Sequence, residues 1–469
     1  MMQARGGSPT SGDVRRLVHR FARLRGDQVP PRVLRKVTLC LLDALGNMVS
    51  GSTLPEACPE GRAPEAKAPR GAYVFGWRRP VPRITACFSN AVHLDLLEAQ
   101  DGHRRAGLHP CEGAIPAALA LGNEDGRSFE ELLLSILGGY EVTLRFGTAM
   151  FPYAMRAGFY PDGIFCPLGA AFTAGRLLSL DEKGLLGALS AAAFCAPLAL
   201  HQGIRAPAKG LIAGTGAEVG LRSALWAEAG WVGIEGVFEP PTGFMEVLSG
   251  HASLGRLFPP GRAGWETNEV YLKPYPGGRH AHGPVDAIRK LLRERGRLPA
   301  PVTSVEVTTY SAAVAFTGAP PGRSSPLSEL TQSTPYLLAL TLTDGRPKPE
   351  HFALRSRHDP TVLRLSRRVR VRSDPAMDRH YPGATPARVT LRFRSRPDWV
   401  ASVTHRWGDP EDPMSVEAVR DKFVRSVGPW TGNREALRVW NRVYRARSRE
   451  PAGAVLTDAW EGLQPSSRG

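Results

Sequence analysis

Two acids and two histidines lie close together in the stretch from Leu97 to Leu121. They fall within twelve residues, at Glu98, Asp101, His103 and His109. Carboxylates and imidazoles are common general acids and bases, because burial and neighbouring charges can bring their pKa values close to neutrality. The cluster therefore indicates an acid–base site. For any single member, a polar surface loop is the alternative interpretation.

A helix is expected directly after this cluster. Proline supplies no backbone N–H and biases the residue before it away from the helical conformation, so His109, which precedes Pro110, is predicted in a loop. The apolar segment that follows predicts a helix beginning near Ile115 or Pro116, since proline is tolerated in a first turn. The acids and histidines should therefore lie on a loop beside a buried helix.

The composition is typical of a globular protein and argues against several partners. The chain has 469 residues, of which 42% are hydrophobic and 22% are charged, which suits two or three domains. The net charge of +16 comes mainly from scattered arginines, and only eight of the 60 basic residues are lysines. Without a basic run or an aromatic-interleaved basic stripe, no nucleic-acid partner is expected.

The remaining global signals predict a reduced, cytoplasmic protein. The six cysteines form no CxxC pair, and most lie in apolar contexts. The first residues, MMQARGGSPTSGD, lack the apolar segment of a secretory signal. No uncharged run reaches the roughly 20 residues that a membrane span needs. We therefore expect no membrane partner.

Helical patterns dominate both ends of the chain. Apolar residues at helical spacing predict helices over about 33–49 and 129–146, and the adjacent Gly138 and Gly139 in the second imply close packing against another helix. From about Thr267 short β-like runs appear. The predicted strands cover 302–310, 368–372 and 387–394.

We therefore predict a mainly α fold with two domains. A large all-α helical domain would comprise residues 1–266 and a C-terminal segment, 405–469, that rejoins it. A smaller α+β lid domain would comprise residues 267–404. The cleft between them is the usual place for a small-molecule site.

Other motifs give weaker signals. His280 and His282, with His103 and His109, offer nitrogen ligands for zinc or another transition metal, but their spacing lacks the compact geometry of a structural metal site. There is no GxSxG nucleophile turn. The glycine-rich stretches IAGTG and PYPGGRH lack the features of phosphate-binding or dinucleotide-binding loops.

The segment SNAVHLDLLEAQDGHRRAGLHP resembles a loop of the MmgE/PrpD family. That family includes 2-methylcitrate dehydratases, cis-aconitate decarboxylases and iminodisuccinate epimerases. Further stretches resemble the family in the same order: AGFYPDGIFCPLGAAFTAGRLLSLDEK, VYLKPYPGGRHAHGPVDAIRKLL, LTQSTPYLLALTLTDG and GDPEDPMSVEAVRDKF. The resemblance covers most of the chain and implies a two-domain fold of this family.

The resemblance also implies roles for individual residues. It assigns catalytic functions to His109, His282, Tyr336 and Lys209. It assigns substrate contacts to Glu98, Asp101, His103, Tyr160, Arg279 and His280. One imidazole, that of His109 or His282, would remove a proton next to a carboxylate. Tyr336 or the other histidine would protonate the leaving group or the developing carbanion.

Three positions depart from the family pattern. Glu98 replaces the usual aspartate, Gly102 the usual threonine and Tyr160 the usual histidine. Tyrosine is a poor base at neutral pH, because its unperturbed pKa is about 10. These changes suggest a substrate other than 2-methylcitrate itself.

By resemblance the protein is expected to be a cofactor-independent lyase that acts on a small polycarboxylate, as a 2-methylcitrate dehydratase does. A decarboxylase or epimerase acting on a related di- or tricarboxylate is an alternative, since these reactions share a carbanion-like intermediate. A degenerate family member that only binds is the alternative from another class. No metal and no cofactor are expected. A homodimer through the helical domain is expected from the resemblance and from an apolar excess in residues 129–200.

Overall fold

The computed structural model describes residues 11–57, 71–123, 126–197, 199–231, 233, 236–239, 242–249, 257–259 and 264–464. The helices that precede the sheet are α1 Ser11–Ala22, α2 Pro31–Ser52, α3 Arg83–Asp95, α4 Cys111–Leu121, α5 Phe129–Met150, α6 Tyr153–Arg156, α7 Pro161–Leu177, α8 Glu182–Phe194, α9 Gly210–Glu228, α10 Phe244–Ser249 and α11 His282–Arg295. The later helices are α12 Ser311–Thr317, α13 Leu327–Thr331, α14 Thr334–Asp344, α15 Pro360–Ser366, α16 Pro375–Asp378, α17 Val416–Thr431, α18 Asn433–Tyr444 and α19 Ala452–Gly462.

The predicted long helices are present with slightly wider bounds. Helix α2 begins at Pro31, because a proline is well suited to the first helical position. Helix α5 begins with a capping box, in which the Ser128 side chain accepts from the Glu131 N–H and the Glu131 carboxylate accepts from the Ser128 N–H. Both helices are buried along most of their length, as their apolar spacing predicts.

Helix α7 lies at the centre of the helical body, against α4, α5, α8 and α9. Glycines allow the close approach. A Cβ atom on Gly139 would lie 2.0 Å from Thr173 Oγ1 of α7 and 2.7 Å from the Gly169 carbonyl oxygen. On α9, a Cβ atom on Gly220 would lie 2.4 Å from the carbonyl oxygen of Pro167. The close packing predicted from the paired glycines of α5 is therefore confirmed.

A four-stranded mixed sheet forms the second part of the fold. Its strands are β1 Val302–Thr309, β2 Val369–Ser373, β3 Ala387–Phe393 and β4 Trp399–Val403, in the order β2-β1-β3-β4. Strands β1 and β2 are parallel, and the other two pairs are antiparallel. The first three strands were predicted. Strand β4 was missed, because its five residues follow β3 after a short turn.

Two hydrophobic cores hold these parts together. The larger joins α1–α5, α7–α9 and α17–α19, and the smaller joins α11, α14 and the sheet. Leu96, Leu97 and Ala99, which follow α3, pack into the smaller core. The loop that carries Glu98 therefore lies where the two cores meet. The fold is mainly α with a small sheet, and the domain limits at 266 and 404 stay predictions.

The five cysteines within the described residues are free thiols, and Cys58 lies outside these residues. Burial raises the pKa of each of the five, which keeps them in the thiol form.

Among the helices of the described residues, none has both the length and the apolar character that a membrane span requires.

Candidate active site

A cavity of about 650 Å³, counted with its open mouth, lies at the junction of the two cores. Its polar lining consists of Glu98, His103, Arg104, His109, Arg279 and Gln332. Its aromatic and apolar lining consists of Leu108, Phe151, Met155, Tyr160, His201, Ile204, Tyr271, His280, Phe316 and Tyr381. A mainly apolar and aromatic lining with a few convergent polar groups is typical of small-molecule sites.

Three helices begin beside the cavity. His109 and Pro110 immediately precede α4, Tyr160 is the N-cap of α7, and Lys209 is the N-cap of α9. His109 is non-helical, as predicted. Helix α4 begins at Cys111 instead of near Ile115 or Pro116, because Pro110 already adopts helical angles at the N-cap. The helix N-termini favour the carboxylates of Glu112 and Asp162, which lie in the first turns of α4 and α7.

His109 is held on both sides of its ring. Its backbone N–H donates to Asp162 Oδ1 over 2.6 Å, and its Nδ1 lies 3.2 Å from Asp162 Oδ2. Its Nε2 lies 3.3 Å from Lys273 Nζ. Because an ammonium group can only donate, Nε2 is the acceptor and Nδ1 carries the proton that Asp162 accepts. The ring can therefore take up a proton only at Nε2.

Glu98 joins the two lysines of the site. Its Oε1 lies 2.7 Å from Lys209 Nζ, and its Oε2 accepts from Lys273 Nζ over 3.0 Å. Gln332 donates to Oε1 over 2.7 Å. Burial opposes ionisation, but the two ammonium groups and His109 hold the pKa of Glu98 well below its usual value. The backbone of Glu98 has φ of 52°, a strained left-handed conformation that aims this carboxylate inward.

Lys209 lies behind the cavity wall, paired with Asp95 and Glu98. Burial works against its charge, yet these carboxylates raise its pKa above the usual value. Its Nζ also lies 5.9 Å from the centre of the Tyr160 ring. Lys209 is therefore a fixed positive charge that orders Asp95 and Glu98.

Glu112 and Asp162 carry opposite pKa shifts. Burial, together with Asp162 and Asp95, raises the pKa of Glu112 well above its usual value. Burial also opposes the ionisation of Asp162, but His109 lowers its pKa. Within the described residues, ligand atoms of His109, Glu112 and Asp162 lie within 4.8 Å of one another, a spacing that a metal ion could bridge. Hydrogen bonds join His109 to Asp162, and Gln100 to Glu112, within this cluster.

Four of the residues assigned to substrate contacts line the cavity in addition to Glu98. They are His103, Tyr160, Arg279 and His280. Burial lowers the pKa of His103, whose Nδ1 accepts from the Ala106 N–H over 3.1 Å and whose Nε2 lies 3.3 Å from Glu266. Burial and nearby acids raise the pKa of Tyr160 well above its usual value, which excludes this residue as a base.

Besides Lys209, three residues assigned by resemblance do not line the cavity: Asp101, Tyr336 and His282. Asp101 accepts from the Tyr140 hydroxyl over 2.6 Å and from the Cys111 N–H over 3.4 Å, which ties the loop to α4 and α5. The Tyr336 hydroxyl donates to the Arg357 carbonyl oxygen over 2.9 Å.

His282 begins α11, and its Nε2 donates to the Gly277 carbonyl oxygen over 3.0 Å. Burial and the charge of Lys273 lower its pKa to about 3. His282 is therefore a buried ring outside the cavity lining, whereas His109 lines the cavity.

Three residues that contact the site were not predicted from the sequence. Lys273 lies in the KPYP stretch, and its one signal is that it is one of only eight lysines in an arginine-rich chain. Asp162 follows Tyr160 by two residues, in the first turn of an apolar helix. Tyr271 fills the space beside Gly102, where a Cβ atom would lie 2.3 Å from its hydroxyl oxygen. A tyrosine hydroxyl thus lies where the resemblance expects a threonine side chain.

Comparison with known proteins identifies the family. Residues 15–256 match the MmgE/PrpD N-terminal domain, and residues 275–445 match the MmgE/PrpD C-terminal domain. A cis-aconitate decarboxylase of Aspergillus terreus is 24% identical over 468 residues, which cover 92% of each chain. The cis-aconitate decarboxylase-like protein oryM of Aspergillus oryzae is 24% identical over 311 residues, 62% of this chain and 64% of the relative. The resemblance is confirmed, and the chain belongs to the MmgE/PrpD family.

Proposed function

We propose that this protein is a cofactor-independent lyase that moves a proton at a carbon next to a carboxylate of a small polycarboxylate. The observation that supports the proposal is the setting of His109. Its imidazole lines the cavity, its Nδ1–H is held by Asp162, and its Nε2 lies 3.3 Å from Lys273 Nζ. A positioned imidazole with a single unprotonated nitrogen is a common general acid–base group.

In the proposed reaction His109 acts through Nε2. When Nε2 takes up a proton, the Asp162 carboxylate at 3.2 Å stabilises the imidazolium. The Lys273 ammonium then stabilises the negative charge that develops on the reacting carboxylate of the substrate. Glu98 and Gln332 keep Lys273 and the loop in place.

We place decarboxylation first among the possible lyase reactions, because the relatives that align over most of the chain are named cis-aconitate decarboxylases. Loss of CO₂ leaves the electron pair of the broken C–C bond on carbon, and the His109 imidazolium supplies the proton that this carbon needs. In dehydration of the 2-methylcitrate type and in epimerisation, the transfer runs the other way first, and His109 Nε2 takes up the proton from the carbon next to the carboxylate. A protein that only binds is the less favoured alternative, because the His109–Asp162 pair is complete.

We also propose that the reaction needs no metal. Asp162 accepts two hydrogen bonds from His109, Glu112 accepts one from Gln100, and the pKa of Glu112 is raised, which makes the cluster a poor site for a cation. Metal analysis of the purified protein should find less than stoichiometric metal, and EDTA should leave turnover unchanged. Loss of activity with EDTA that one divalent ion restores would reject this point.

We further propose a homodimer through the helical body. Of the nine large apolar side chains that are exposed in the described residues, six lie between residues 194 and 247. They are Phe194, Leu200, Leu211, Trp226, Trp231 and Val247. Contiguous exposed apolar patches mark protein interfaces, and these six residues share one stretch of the chain. A cytoplasmic location stays a prediction.

The function is tested by incubating the protein with a panel of di- and tricarboxylates in deuterated water. NMR would detect solvent deuterium at carbons next to carboxylates, and a coupled assay would detect released CO₂. We expect exchange for at least one compound and its loss in the His109→Gln variant. Exchange that persists undiminished in this folded variant would reject the proposal.

A further inference from the structure

One side of the cavity is a continuous row of rings, which we call the aromatic wall: Tyr160, His201, Phe316, His280 and Tyr381. Phe316 lies at its centre. The His280 ring stacks on it at 5.1 Å between centroids, and the His201 ring meets it at 5.3 Å in a T-shaped contact. Such pairs form rigid apolar surfaces.

The histidines of the aromatic wall add no charge at neutral pH. Burial and the repulsion of Arg279 lower the pKa of His280 to about 3, and burial also lowers the pKa of His201. The Nδ1 of His280 lies 2.6 Å from the Tyr310 hydroxyl oxygen, which accounts for one of its nitrogens. The wall therefore suits an uncharged group.

The arginines that line the cavity, among the described residues, are Arg104 and Arg279. Arg104 donates to both carboxylate oxygens of Glu411, one of them over 3.0 Å. Arg279 lies 3.7 Å from its nearest carboxylate, that of Asp409, which is too far for a hydrogen bond. Asp409 instead accepts from Arg406 over 2.7 and 2.8 Å. Of the two arginines that line the cavity, only Arg279 lacks a bonded acid.

The cavity has positions for two substrate carboxylates. Arg279 is held 4.4 Å above the Tyr271 ring and can receive one carboxylate. A second, the reacting one, fits at His109 under the charge of Lys273. A third substrate carboxylate would face either the Glu98 carboxylate or the uncharged aromatic wall. There it would lose its hydration without pairing with a cation.

We propose that the substrate carries two carboxylates and one apolar arm of about the size of an aromatic ring, which packs against Phe316 in the aromatic wall. The inference rests on the proposed function and names the substrate class for the same site. The proposed substrate differs from a tricarboxylate in carrying an apolar arm in place of the third carboxylate.

Two compounds that differ only in the arm test the inference. Benzylsuccinate and tricarballylate are both substituted succinates, and they differ only in whether the arm ends in a phenyl ring or a carboxylate. Isothermal titration of the full chain at pH 7.5 should show benzylsuccinate binding at least about tenfold more tightly, which corresponds to about 1.4 kcal/mol. Equal affinity, preference for tricarballylate, or no binding of benzylsuccinate would overturn the inference.

A charge placed in the wall should reverse the preference. The Phe316→Lys variant should bind tricarballylate more tightly than benzylsuccinate, because the ammonium group pairs with the third carboxylate. The matched control is Leu354→Lys, since Leu354 is 65% exposed and lies outside the cavity lining. The control should keep the affinities of the original chain. An unchanged preference in folded Phe316→Lys would also overturn the inference.

Binding is measured without turnover, so the two proposals can fail separately. If tricarballylate binds preferentially while carboxylates still exchange deuterium, the inference about the arm fails and the lyase proposal stands. If benzylsuccinate binds preferentially but no carboxylate exchanges deuterium or releases CO₂, the lyase proposal fails.

Discussion

At the scale of single residues, the chemistry depends on which nitrogen of His109 carries a proton. Asp162 accepts from both the backbone and the ring of His109, so one carboxylate fixes the position and the tautomer of the imidazole. Lys273 meets the other nitrogen and supplies positive charge beside the reacting atoms. A substitution at Asp162 should therefore act on His109 without removing it.

The Asp162→Asn variant tests this dependence. The asparagine oxygen can still accept from the His109 backbone, but its amide then faces Nδ1 and favours a proton on Nε2, opposite the Lys273 ammonium. We expect turnover per folded protein to fall by roughly 10² to 10⁴, the usual range for losing a positioned acid–base group. The matched control is Asp286→Asn, because Asp286 is also buried and accepts one backbone and one side-chain hydrogen bond. Equal losses in the two variants would contradict the role of Asp162.

The raised pKa of Glu112 should make the stability of the protein depend on pH. Its folded pKa is raised by burial and by two neighbouring acids, so its contribution to stability is present below its unfolded pKa and is lost as the pH rises toward the folded pKa. Glu112→Gln removes this loss. In thermal melts, the melting temperature of the variant should rise relative to that of the original chain between pH 5 and pH 8. A constant difference in melting temperature across this range would show that Glu112 is not protonated in the fold.

At the scale of elements, Gly102 sets the fit between the loop and the strand-like segment around Tyr271. The two residues exchange backbone hydrogen bonds of 2.8 and 3.1 Å, which leaves no room for a side chain. A Cβ atom at Gly102 would lie 2.3 Å from the Tyr271 hydroxyl oxygen and 3.0 Å from His109 Cδ2. The absence of a side chain is therefore a packing requirement of this site.

Gly102→Ala should destabilise the protein by about 1–3 kcal/mol, the usual cost of forcing a methyl group into a filled space. It should also lower turnover, because both Tyr271 and His109 must move. Urea unfolding and steady-state rates measure the two effects. Gly264→Ala is the control, since a Cβ atom there has no neighbour within 4 Å among the described residues. A fully stable and active Gly102→Ala would refute the packing argument.

The elements differ in how far the sequence predicts them. Helices α2 and α5 and strands β1 to β3 have long apolar patterns, and the structure confirms them. The start of α4 was misplaced because Pro110 can serve as an N-cap, and the sequence pattern gave more weight to Pro116.

Side-chain direction is harder to predict than the segment that carries the side chain. Matches to the family indicated loops that the structure places at the cavity, but the direction of each side chain depends on the phase of its helix. Tyr336 lies in the first turn of α14 and faces the smaller core, whereas Gln332, just before that helix, reaches Glu98. Lys273 was missed because its role appears only when Glu98 and His109 are near it in space.

At the scale of the whole molecule, the exposed apolar residues of the helical body predict self-association. Sedimentation velocity at micromolar concentration should show a dimer. Trp231→Glu should shift it toward monomer, because Trp231 is 76% exposed and belongs to the exposed group between residues 194 and 247. Leu354→Glu, which lies outside this group, should leave the dimer intact. A monomeric original chain, or a dimer unaffected by Trp231→Glu, would contradict this interface.

The central claim is that proton transfer belongs to His109, on the cavity wall, and not to His282, whose ring is bonded to the Gly277 carbonyl oxygen. The most direct test is single-turnover deuterium exchange or CO₂ release by the His109→Gln and His282→Gln variants, with circular dichroism to confirm folding. We predict a loss of roughly 10² to 10⁴ in the chemical rate for His109→Gln and less than about tenfold for His282→Gln. A large loss in folded His282→Gln, with His109→Gln close to the original rate, would contradict the account.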